Sequence, residues 1–114
     1  MDSVKERFLR YVRINTESDP DSDNCPSTDR QWDLAKQLKK ELVEIGMEKV
    51  VLNYKAYLTA TLPSNTPGPV PTIGFISHFD TSPDFTAEGV NPRVIENYNG
   101  SDIVLHKEKG IVLS

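Results

Sequence analysis

Cys25 is the only cysteine, so no internal disulfide can form. That fits a reducing compartment. No apolar run approaches the roughly 18 residues that span a bilayer. The opening residues, Met1-Asp2-Ser3-Val4-Lys5-Glu6-Arg7, are charged and have no apolar segment behind them, which is not the pattern of a secretory signal. A soluble cytoplasmic protein is the expectation, with no membrane partner. Charge of one sign is also scarce: the formal net charge is -4. A nucleic-acid-binding surface needs a clustered basic face. The longest basic cluster, Lys36 to Lys40, is broken by Gln37 and Leu38 and reads as a solvated helix face.

What is present suits a globular α/β protein of 114 residues, one domain or part of a larger one. Ser3 and Glu6 have the spacing of a capping box, and Val4, Phe8, Tyr11 and Val12 form one face of a helix over 3–14. Residues 16–27 are polar and aperiodic and read as a loop. Asp19, Asp21 and Asp23 alternate like the opening of a calcium loop, but Cys25 stands where that loop needs glycine, so a flexible acidic loop is the reading. Thr28 and Gln31 suggest a second capping box. The helix they open carries Leu34, Leu38, Leu42 and Ile45, with Gly46 as its stop. Short strands are expected over 49–53 and 57–62, paired as a hairpin turning near Tyr54-Lys55-Ala56. A stiff proline-rich connection over 63–71 follows. Beyond residue 80, Ile103-Val104-Leu105 is a short apolar patch near the Asn99-Gly100 turn signal, and Ile111-Val112-Leu113 begins another strand. Ending in an apolar run suggests an amino-terminal piece of a longer chain.

The stretch that carries chemistry is Thr72-Ile73-Gly74-Phe75-Ile76-Ser77-His78-Phe79-Asp80-Thr81. Its apolar part reads as a buried strand over 72–78, delivering His78 and Asp80 at its carboxyl end. In open α/β sheets that end faces the ligand crevice. In an extended chain, side chains at i and i+2 share a face, so the imidazole and carboxylate can lean together. The pair has three readings. A metal-bound histidine gives its second ring N–H to a carboxylate. A base and its orienter serve a nucleophile in the same way, although no G-x-S-x-G elbow surrounds Ser77 or Ser82. A structural strand end needs neither.

The segment 72–84, with Gly89-Val90-Asn91-Pro92 and the run from Ile95 to Ile103, resembles the peptidase T family, the tripeptide aminopeptidases among the di-zinc exopeptidases. Glu6 to Val12, Pro26 to Trp32 and Ala60 to Asn65 fit the same resemblance in order and spacing. It implies that residues 1–114 are the amino-terminal, incomplete portion of a metallopeptidase catalytic domain, an α/β fold with a mixed sheet flanked by helices. It implies zinc, two ions per complete site, and tripeptide substrates. His78 matches the first zinc ligand and Asp80 the catalytic carboxylate that holds it, while Phe79 departs mildly from the small aliphatic residue common there. The family's bridging Asp, Glu-Glu pair, further carboxylate and second histidine ligand match nothing within these residues, and His106 reads as a surface histidine. The same holds for the smaller domain through which the complete enzyme would dimerise. The competing expectation is a small non-enzymatic α/β binding or structural module.

Overall fold

The computed structural model describes residues 2–114. Helix α1 (Val4–Tyr11) starts at Ser3, whose hydroxyl accepts from the Glu6 N–H while the Glu6 carboxylate accepts from the Ser3 N–H at 2.7 Å. That reciprocal pair is the capping box read from the sequence. The Ser3 hydrogen bonds hold the Glu6 carboxyl below its ordinary range, led by the one from the backbone. The expected apolar face is largely uncovered, with Val4 84% and Phe8 61% exposed.

Helix α2 (Gln31–Glu44) begins three residues later than Thr28, and its cap, Arg30, has no side-chain cap bond. The expected second capping box is absent because Thr28 is engaged elsewhere. Its hydroxyl donates to the Glu17 carbonyl and accepts from the Gln31 side chain. The helix stops as expected at Gly46, whose φ of 88° is the left-handed conformation glycine tolerates. The N–H of Gly46 bonds the Val43 carbonyl and that of Met47 bonds the Leu42 carbonyl, the paired closure of a Schellman motif.

Strands β1 (Glu48–Leu52) and β2 (Leu58–Thr61) pair antiparallel, with a bulge between Glu48 and Val51. The turn lies where the sequence placed it. Its signal is Asn53, whose side-chain oxygen accepts from the N–H groups of Lys55 and Tyr57, an Asx turn. Alternation leaves Val50, Leu52, Leu58 and Ala60 half-buried on one face, and α2 packs on this hairpin with Leu34 and Ala35 buried. Strands β3 (Ile103–His106) and β4 (Ile111–Leu113) form a second antiparallel pair, turning through Gly110 at φ 64°.

The architecture among the described residues is therefore two helices and two separate two-stranded sheets. This is the α/β composition expected, with two small antiparallel sheets among the described residues, and the buried strand expected over 72–78 is not formed. This segment runs with no regular secondary structure, and no other strand lies beside it. Ile73 is 74% exposed, Phe75 95% and Ile76 100%. Apolar β-branched residues favour a strand where cross-strand and same-face neighbours pack against them, and none does so here.

Candidate metal-ligand site

Residues 79–81 are anchored although the run before them is not. Thr16, only 2% exposed, donates its hydroxyl to the Phe79 carbonyl at 2.8 Å. The Thr81 N–H donates to the Thr16 carbonyl at 3.2 Å, and the Ser18 N–H donates to the Thr81 carbonyl at 2.9 Å. The Ser18 hydroxyl reaches the same oxygen at 3.0 Å. Glu17 and Thr81 thus form a parallel bridge, isolated from the named strands. The Glu17 carboxylate in turn accepts from the Ala87 N–H at 2.9 Å. The sequence reading placed 16–18 in a featureless loop. Their role was hidden because the partners they anchor in residues 79–81 lie 63 or more residues along the chain.

On this anchored segment the two candidate residues meet. His78 Nδ1 lies 3.2 Å from Asp80 Oδ1 and 3.0 Å from the Asp80 carbonyl oxygen. A carboxylate and a carbonyl only accept, so Nδ1 carries the proton of the neutral ring and donates to both. The lone pair is then on Nε2. The His78 side chain is 83% exposed and that of Asp80 42%, so the ring is open to an approaching ligand. Ser82 is turned aside, donating to the Asp84 carboxylate at 2.6 Å. His106 lies on β3, where its Nδ1 accepts from the Lys109 N–H. Asp19 accepts from the Asp21 N–H and closes a local turn.

The donor set fits one corner of a metal centre: an imidazole of defined tautomer with its orienting carboxylate. Among the described residues, no group of three or more His, Cys, Asp or Glu side chains is placed to hold a metal ion.

Comparison with curated proteins identifies the sequence around this corner. A protein named Peptidase T from Geobacillus kaustophilus is 56% identical over 109 residues, which is 96% of this chain and 26% of that protein. This chain is related to peptidase T. The Fusobacterium nucleatum peptidase T is 54% identical over 97% of the chain and 27% of its own length. The peptidase T of Caldanaerobacter subterraneus is 53% identical over all 114 residues and 28% of its own length. The chain thus spans about a quarter of the length of the curated relatives it matches. No family model matches it.

A second polar cluster lies between α1 and α2. Arg10 bonds Glu41 at 2.9 Å and Asp2 at 2.9 Å, and the Tyr11 hydroxyl and the Gln37 amide also donate to Glu41. Partial burial works to raise the Glu41 carboxyl, but hydrogen bonds from Tyr11, Gln37 and Arg10 outweigh it and hold the group below its ordinary range. Burial, then the bond to Glu41, raises the Tyr11 phenol. Arg10 is shared between Asp2 and Glu41, and its bond to Glu41, with that of Tyr11, joins α1 to α2.

Proposed function

We propose that these residues supply the first zinc ligand and its orienting carboxylate to a zinc-dependent aminopeptidase that removes the amino-terminal residue from tripeptides. The reading extends the fold to the amino-terminal portion of a zinc-exopeptidase catalytic domain, acting within a longer polypeptide and holding two zinc ions in the complete site. The observation that carries it is the His78–Asp80 contact at 3.2 Å on an anchored segment, in a chain related throughout to peptidase T. Bound zinc supplies an acidified water, with its pKa lowered toward about 7, and a Lewis acid for the scissile carbonyl. His78 presents Nε2 as the donor. Asp80 keeps the proton on Nδ1, fixes the ring plane and raises the basicity of the donor.

A chimera tests the proposal: these 114 residues replacing the matched span of the Geobacillus kaustophilus protein. Tripeptide hydrolysis releasing the amino-terminal residue is expected, lost with a chelator and restored by zinc. A folded chimera without that activity, or one whose activity survives both chelation and His78→Ala, would overturn the proposal.

A further inference from the structure

We propose that Thr16 is a positioning residue for the metal corner: its hydroxyl sets the peptide plane between Phe79 and Asp80 and thereby the tautomer and direction of the His78 ring. The proposal rests on the peptidase reading above, and its geometry stands on the anchored segment itself.

Three consecutive peptide units are held by the segment 16–18. The unit joining Phe79 to Asp80 is held through the Phe79 carbonyl, which accepts from the Thr16 hydroxyl at 2.8 Å. The unit joining Asp80 to Thr81 is held through the Thr81 N–H, bonded to the Thr16 carbonyl at 3.2 Å. The next is held through the Thr81 carbonyl, bonded to the Ser18 N–H at 2.9 Å and to the Ser18 hydroxyl at 3.0 Å. Asp80 therefore has a fixed peptide on both sides. The middle unit also carries the Asp80 carbonyl, one of the two oxygens facing His78 Nδ1.

Only one of these restraints on the two units flanking Asp80 depends on a side chain. Any residue at position 16 could offer the backbone carbonyl to Thr81, but only a hydroxyl reaches Phe79. Thr16 is 2% exposed, and a buried hydroxyl must find a partner or pay for its desolvation. Valine would fill the same space with no such demand. Without the hydroxyl, the Phe79 carbonyl turns freely about the bonds that set the Asp80 backbone. The Asp80 carboxylate then shifts relative to Nδ1, and the ring loses one of the two acceptors that hold its proton there, the Asp80 carbonyl being kept by the backbone bond of its own peptide unit.

The test compares Thr16→Val and Thr16→Ser in two settings. In the 114-residue chain, nitrogen NMR of the neutral His78 ring reads the tautomer directly. Thr16→Val is expected to move population from the Nδ1–H toward the Nε2–H form, and Thr16→Ser to return it. In the chimera, competition with a chromophoric chelator reads zinc affinity. Thr16→Val should weaken it about tenfold, at the low end for groups that support a ligand from outside the coordination sphere, and Thr16→Ser should recover most of the loss. Wild-type ring shifts and zinc affinity in Thr16→Val would overturn the proposal, even if thermal stability fell, because Thr16 would then be structural only. A folded wild-type chimera that binds no zinc overturns the peptidase reading instead, while the ring-nitrogen shifts still decide whether Thr16 positions the pair.

Discussion

At the scale of single residues, the arrangement makes His78 and Asp80 unequal. On the proposed reading His78 is the donor, and its replacement by alanine in the chimera should remove zinc from that corner and tripeptide hydrolysis with it. Asp80 acts through the ring. Asp80→Ala should cost roughly 10–100-fold in zinc affinity, and Asp80→Asn, which keeps one acceptor oxygen, should cost less than alanine. Chelator competition on the three variants checks the order; an Asp80→Ala protein with unchanged affinity would contradict it. The pair was legible in the sequence because its spacing is local: extended geometry brings i and i+2 to one face. Thr16 was not legible. Nothing in Asn15-Thr16-Glu17 marks a hydroxyl whose acceptor, Phe79, lies 63 residues on.

At the scale of elements, local signals were read well and those needing a distant partner were not. Ser3 and Glu6 cap α1 because both bonds close within one turn. Thr28 had the same local pattern but gave its hydroxyl to Glu17, which a window of four residues could not reveal. Ser3→Ala should destabilise α1 by about 1 kcal/mol. Gly46→Ala should cost about the same, since alanine resists a φ of 88°. Thermal unfolding followed by circular dichroism measures both. The α1–α2 junction predicts a pH dependence. The Glu41 carboxyl is depressed in the folded chain, so its contribution is present above the ordinary carboxylate range. It is lost as the pH falls through the depressed folded value. Unfolding curves across acidic pH should show a steeper loss for the natural chain than for Glu41→Gln.

At the scale of the whole molecule, the chain is extended. Its radius of gyration is 17.8 Å, against roughly 13 Å for a compact domain of this length. The buried apolar residues are Leu34, Ala35, Ala56 and Ala87, which is a small core. The run 72–77 has large apolar side chains in solvent and no backbone partner, so the strand expected there lacks what makes a strand stable. Amides 72–77 of the 114-residue chain should exchange with solvent within the dead time of a mass-spectrometric measurement, whereas those of α2 are protected. The same chain should show no tripeptide hydrolysis, because a catalytic zinc needs about three protein ligands and the proposed site draws one, His78, from these residues. The anchoring of Phe79 and Thr81 by Thr16 and Ser18 has a kinetic consequence as well. It closes a loop of 63 residues, and such closure is entropically opposed and gains its reward only on completion. The α1 cap and the β1–β2 hairpin need no such closure and are expected to form first. The His78–Asp80 geometry should therefore be among the last features acquired in folding, and a lesion that slows that closure should delay the site before it affects the helices.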